Sequence, residues 1–360
     1  MTTAIRRRVP IAVLALIVVF AGACGSSKSS GGTKGTSGSG AKLPTTTLSG
    51  SGSSFQDAFD QEVFRDFTND EQPNVTVNYN PTGSGAGQTD LQGGLVDFAG
   101  SDSLVKAADL PTFKGAILYI PIASAPITIS YNVNGVDKLT LSAVTVAKIF
   151  SSKITTWDAP EIKADNPGAS LPSTAIVVVH RSDGSGTTAN FTKYLTEAAP
   201  SDWTLGTDKV VNWASNTIGA EKNTGVAGKV ASTDGAIGYV DFSDAKAASL
   251  KLASIKNAAG TVVAPSLAGA TAAMASAQVT ADVTVSPMNA PGADAYPITS
   301  PTYIIVYEAQ TSHNQGTALK ALLEYVLGAG QSKAASLDFA ELPDALLQKA
   351  KAQLDKIQIP

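Results

Sequence analysis

The chain has 360 residues, 43% apolar and 16% charged, with 32 glycines, 18 prolines and one cysteine. It is long enough for two domains and apolar enough for a large core, and a single cysteine excludes an internal disulfide. The formal charge is −4, yet six of the 26 bases and none of the 30 acids fall in residues 1–47; the acidic remainder excludes a basic nucleic-acid surface but not a buried anion site, which its local donors govern.

Arg6-Arg7-Arg8 precede an apolar run from Val9 to Ala23. The run is short for a membrane span and fits an export signal over residues 1–23. Ala21-Gly22-Ala23 then lead into Cys24. This segment resembles a bacterial lipobox, in which the cysteine is lipidated; an ordinary signal peptide with an incidental cysteine is the other reading. Residues up to about Thr47 are rich in Gly, Ser, Thr and Lys, which predicts a disordered tether over 24–47.

Leu48 to Phe55 reads as a short strand ending in a Gly/Ser turn. Phe55, Phe59, Val63, Phe64 and Phe67 then recur on one face of a helix. Ser53 with Gln56 fits a capping box, so this turn either caps its own helix or offers spare N–H groups. Val75–Tyr79 alternates like a strand, and Pro81–Gly87 is another Gly/Ser turn. Leu95–Asp102 is a short strand ending in a carboxylate, where Asp102 is by default a cap or a loop acid. Ile117–Tyr131, broken by Pro121 and Pro126, is long enough to cross between domains. Ser142–Phe150 reads as a helix and Trp157 as a packed aromatic.

Ala175–Val179 is a β-branched strand, followed by His180-Arg181-Ser182-Asp183-Gly184-Ser185-Gly186-Thr187-Thr188 and then a helix through Leu195. Strand, Gly/Ser/Thr turn and helix aim free N–H groups and a positive dipole end at one spot, which suits an oxyanion. Ser185 and Thr187 add hydroxyls, Gly184 and Gly186 permit close approach, and Arg181 offers a fork of charged donors. A loop that only caps its own helix is the alternative. Gly235–Val240 reads as a buried strand, and Lys251–Ala293 shows no clear pattern. Tyr296–Val306 is a second long crossing strand. Helices over Gly316–Leu327 and Pro343–Ile357 close the chain, the latter with Pro343 in its first turn.

Together these turns, one Arg and one isolated Asp resemble the PstS-type phosphate-binding proteins, extracytoplasmic receptors of phosphate ABC importers. The resemblance spans nearly all of residues 48–360. It is carried by Gly50–Phe55, Gly83–Gly87, Val96–Asp102, Lys153–Trp157, Asn166–Gly168, Arg181–Thr187, Gly235–Val240, Tyr296–Ser300 and Leu337–Pro343. It implies an α/β, two-lobed periplasmic-binding-protein fold (type II-like), its two α/β lobes joined by two crossing segments. Lobe I would take 48–127 with 301–360, and lobe II 128–300.

The resemblance further implies a phosphate site. Its donors would be the hydroxyl of Ser54, the N–H of Phe55, Ser84, Arg181, Ser185, the N–H of Gly186, and Thr187. Asp102 would be the one acceptor, and Asp183 would orient Arg181. Ser54 stands where the family often has Thr, Gln56 where Pro often follows the Phe, and Ser84-Gly85-Ala86-Gly87 replaces a double serine. No cofactor or metal is implied. The implied partners are inorganic phosphate, ABC permease subunits, and the outer face of a bacterial cell membrane through a lipid on Cys24.

Physical chemistry points the same way. A buried oxyanion needs nearly all its oxygens paired, and a carboxylate among donors suits only a ligand bearing a hydrogen. Hydrogen phosphate qualifies and sulfate does not. The competing reading is a secreted phosphatase or serine hydrolase acting on a phosphate ester. Against it, the chain has two histidines, His180 and His313. His180 would point to the strand face opposite Arg181, away from Ser185. A purely structural surface lipoprotein leaves the repeated anion-type turns unexplained.

Overall fold

In the computed structural model of the protein, residues 42–360 are described. The expected signal segment, Cys24 and the tether up to residue 41 lie outside them. The folded part starts earlier than the tether expectation allowed. Leu43 packs on the core, and strand β1 (Thr46–Gly52) opens with the Thr46 N–H on the Asn74 carbonyl at 3.1 Å. Composition places Thr46 and Thr47 in the tether, but both are β-branched and pair with Val75 and Thr76.

Lobe I continues through α1 (Asp57–Asp66), β2 (Val75–Asn80), α2 (Ser84–Gly93) and β3 (Phe98–Ser101). β1 pairs in parallel with β2 and β3, as helical crossovers require. The apolar stripe of α1 faces inward as its spacing predicts. Phe55, Phe59, Val63, Phe64 and Phe67 are buried, each contributing roughly 1.5–3 kcal/mol. Phe55 and Phe59 pack on Phe339, with ring centroids 5.9 and 5.8 Å apart.

The Ser53–Gln56 capping box does not form. Gln56 Nε2 donates to Asp60 (2.7 Å) and its Oε1 lies 2.6 Å from the Thr302 hydroxyl, whose one hydrogen is shared with Asp102, while Ser53 Oγ donates to Asp102 (2.6 Å). Ser53 Oγ accepts from the Phe55 N–H at 3.0 Å rather than from that of Gln56, and the Gln56 amide is taken by Asp60 and Thr302.

β4 (Ile117–Asn132) is the long crossing strand, buried from Leu118 to Tyr131. Its first part pairs with the returning strand Thr299–Tyr307, and from Ile127 it pairs with Ala236–Asp241 instead. One strand thus belongs to two sheets, and the change of partner at Pro126/Ile127 marks the crossing.

Lobe II then comprises β5 (Thr140–Leu141), α3 (Ala143–Phe150), α4 (Pro160–Asp165), β6 (Val177–Arg181), α5 (Gly186–Ala198), β7 (Ile218–Ala220), α6 (Lys222–Ser232), β8 (Ala236–Asp241) and α7 (Phe242–Ala247). β6 lies parallel between β7 and β8. Ser142 caps α3, and Trp157 is fully buried with its indole N–H on the Gly235 carbonyl at 3.0 Å. The stretch without a clear pattern holds β9 (Lys251–Leu252), β10 (Ser254–Lys256), β11 (Val262–Val263) and α8 (Leu267–Ser276).

β12 (Thr299–Tyr307) returns the chain to lobe I, where α9 (His313–Val326) and α10 (Asp344–Gln353) cover the sheet's flank. β12 runs antiparallel to both β3 and β4, with a register shift at Thr302/Tyr303 opposite Pro121 to Ala123. Pro121 has no N–H for a ladder, so a bulge there is the natural accommodation. The carboxyl ends of β1, β3, β6 and β7 face the crevice between the lobes, the place where open α/β sheets receive ligands.

Candidate functional site

Arg181 closes β6, its side chain 1% exposed. Nε donates to Asp183 Oδ1 at 2.7 Å, and Nη2 donates to Asp183 Oδ2, so the pair is bidentate. Burial raises the Asp183 carboxyl, but hydrogen bonds and charge from Arg181 outweigh it and hold the group below the usual carboxylate range. The Arg181 N–H donates to the Tyr239 hydroxyl at 3.0 Å, which also meets the Thr188 hydroxyl at 2.6 Å. The guanidinium is therefore fixed before any ligand arrives.

Ser185 is the N-cap of α5 and accepts from the Thr188 N–H at 3.1 Å. Its own N–H donates to the Lys209 carbonyl at 3.0 Å, and the Ala189 N–H goes to the Ser185 carbonyl. Of the first turn, that leaves the N–H groups of Gly186 and Thr187 without an intrahelical acceptor, at the positive end of the helix.

From lobe I comes Asp102, directly after β3 and 3% exposed. Its Oδ1 accepts from Ser53 (2.6 Å) and Thr302 (2.7 Å), and Oδ2 lies 3.5 Å from Ser84 Oγ. Burial pushes this carboxyl up to about 6, against the opposing pull of those hydroxyls and of the Arg181 charge. Ser84, the first residue of α2, also accepts from the Asp102 N–H at 3.3 Å. The Phe55 N–H donates to Ser53 Oγ at 3.0 Å, and Ser54 Oγ accepts from the N–H of Asn223 at 3.3 Å.

The two lobes meet at their glycine-rich turns. The Gly85 N–H donates to the Gly184 carbonyl at 2.8 Å. A Cβ on Gly186 would lie 2.5 Å from Ser84 Oγ and 2.7 Å from Asp102 Oδ2. Gly83 holds φ +98°, and its missing Cβ leaves room for the Asp183 carboxylate. All nine residues singled out as a phosphate site and its orienting acid thus lie along one interlobe junction. A separate cavity of about 430 Å³ between the lobes touches Asp102 and Asn190 but none of the other eight. The donors converge on one another, not on that cavity.

Four contributors escaped the sequence: Ser53 beyond its expected cap, Asn223, Tyr239 and Thr302. Asn223 follows a three-residue strand too short to show a period; the one available signal was another strand–turn–helix step. His180 stacks on Trp213 at a centroid distance of 4.9 Å, with Nδ1 2.9 Å from the Arg181 carbonyl. Burial lowers its pKa, and its hydrogen bond goes to the Arg181 carbonyl and not to Ser185. Among the described residues no group of three His, Cys, Asp or Glu could hold a metal ion, and no helix is long and apolar enough to cross a membrane.

A model of the PBP superfamily domain matches residues 29–329. Phosphate-binding protein PstS2 of Mycobacterium bovis is 34% identical over 364 residues, covering 96% of this chain and 97% of that protein. The chain belongs to the PstS family of phosphate-binding proteins. PstS3 of the same organism is 36% identical over 297 residues, covering 79% and 80% of the two chains. The fold of this PstS-family chain is also that of a phosphate-binding protein from Stenotrophomonas maltophilia, with a TM-score of 0.63 at 23% identity over 85% and 93% of the chains.

Proposed function

We propose that this protein is an extracytoplasmic receptor that binds inorganic phosphate between its lobes and delivers it to the permease of an ABC importer. The observation that carries the reading is Asp102, a buried carboxyl raised to about 6 beside a buried arginine and the start of α5. Donors alone would hold any oxyanion. A carboxylate among them demands a ligand hydrogen, which hydrogen phosphate brings and sulfate lacks.

In this reading the ligand accepts from the hydroxyls of Ser54, Ser84, Ser185 and Thr187, the N–H of Gly186, the N–H of Phe55 (shared with Ser53 Oγ) and the Arg181 guanidinium. Asp102 accepts the ligand's hydrogen, and Asp183 holds Arg181 square to the site. Ser185 Oγ already accepts from Thr188, so its hydrogen remains to donate. The lobes comprise 48–127 with 301–360, and 128–300, and they hinge where β4 exchanges β12 for β8. Lipidation of Cys24 ties the protein to the outer face of the membrane.

The hydrolase alternative has no support from the site. Ser185 has no base, since His180 is stacked on Trp213, and the PstS relatives are binding proteins by name. Calorimetric titration of the phosphate-stripped protein is expected to show saturable binding at one site, with no turnover of a chromogenic phosphate ester. Turnover, or no saturable binding, contradicts the reading. Cys24→Ala is expected to leave the membrane fraction and keep phosphate binding; membrane retention would contradict the anchor.

A further inference from the structure

Asn223, the second residue of α6, is fully buried. Its main-chain N–H and its Nδ2 both donate to Ser54 Oγ, at 3.3 and 3.4 Å, and Nδ2 also donates to Thr187 Oγ1 at 3.2 Å. Ser54 belongs to lobe I, whereas Thr187 and Asn223 belong to lobe II. One amide group therefore ties together two hydroxyls that face each other across the crevice.

A hydroxyl has one hydrogen to give and two lone pairs that accept. Both lone pairs of Ser54 Oγ are taken by Asn223. Those of Thr187 Oγ1 are taken by Asn223 and by Arg181 Nη1 at 3.5 Å. The main-chain N–H and the guanidinium have no acceptor to offer, so each hydroxyl oxygen is bound to accept at these contacts. Only the hydroxyl hydrogens remain, and they are free to point at an anion. Both amide hydrogens of Asn223 are spent, and its Oδ1 is left buried with no partner. An unpaired buried acceptor is a standing cost, borne here at the one residue that aims two ligand donors.

We propose that Asn223 is a positioning residue of the anion site. It commits the hydroxyls of Ser54 and Thr187 to donate, and it does so only when the lobes are closed, because it reaches Ser54 from the opposite lobe. This role rests on the phosphate site proposed above.

The test is phosphate affinity of the full chain carrying Asn223→Ala or Asn223→Asp. The alanine variant is also made in a Ser54→Ala, Thr187→Val background. Asn223→Asp keeps the shape but offers acceptors, so both hydroxyls turn toward it and away from the ligand. Affinity is expected to fall about tenfold or more for Asn223→Asp, and less for Asn223→Ala. In the background without the two hydroxyls, the Asn223→Ala loss should vanish, since nothing is left to aim. An equal loss in both backgrounds indicates plain packing and overturns the role, as does unchanged affinity of Asn223→Ala. Should the aspartate variant not fold, the alanine pair decides alone. If the wild-type chain itself binds no phosphate, the proposed site falls first, an outcome distinct from wild-type binding with additive losses.

Discussion

Asp102 is pulled in two directions. Burial disfavours its charge and moves its pKa to about 6, whereas the Ser53 and Thr302 hydroxyls and the Arg181 charge favour ionisation. Its proton is held more tightly in the ligand-free folded protein than in the unfolded chain, where the ordinary value of 3.8 applies. The carboxyl therefore weakens the fold most above pH 6, and the penalty fades as pH falls from 6 to about 4. Asp102→Asn should be more stable than the ligand-free wild type at pH 7.5, by up to about 3 kcal/mol, with the gap closing near pH 4. Calorimetric scans at the two pH values check this, and a variant less stable at pH 7.5 would contradict it. The same substitution replaces a charge by an amide that can donate, so the preference for phosphate over sulfate should narrow at least about tenfold. Asp102 was legible as an isolated acid after an apolar strand. Thr302 was not, because it sits inside an apolar crossing strand 200 residues away. Gln56, unusual at its position, joins Asp60, Thr302 and Asp102 in one buried hydrogen-bonded chain.

The starts of α1, α2, α5 and α6 all reach the interlobe junction, each following a strand of a parallel array. Gly186 opens α5, where alanine would favour the helix by roughly 1 kcal/mol. A Cβ there, however, meets Ser84 and Asp102 of the other lobe at 2.5–2.9 Å. Gly186→Ala is thus expected to hold the lobes apart, so that phosphate affinity falls about tenfold or more. Wild-type affinity in that variant would show that the lobes need not approach so closely. Elements with a strong period were legible from residues alone, as with the aromatic stripe of α1 and the buried run of β4. The stretch from Lys251 to Ala293 was not, because β9, β10 and β11 have only two or three residues each. The capping box at Ser53 failed for a different reason: Ser53 accepts from the Phe55 N–H instead, and the Gln56 amide is spent on Asp60 and on Thr302 of the distant crossing strand.

Across the whole molecule, the lobes are held together by small contacts. Lys106 of lobe I pairs with Asp208 of lobe II at 2.5 Å, with both side chains well exposed, a pair contributing about 0–1 kcal/mol. Lys209 donates to Gln88, Gly85 to Gly184, and Asn223 to Ser54 across the same gap. Of the two segments that join the lobes, β4 runs unbroken through the crossing and β12 begins there, with Thr299 opposite Pro126, so a hinge at that point bends one continuous strand. Such a design closes when a ligand satisfies the facing donors and Asp102 together. Small-angle scattering from phosphate-stripped protein, with phosphate or sulfate added at equal concentration, tests this most directly. The radius of gyration should fall with phosphate and stay unchanged with sulfate; no change with phosphate, or an equal fall with both anions, would contradict it.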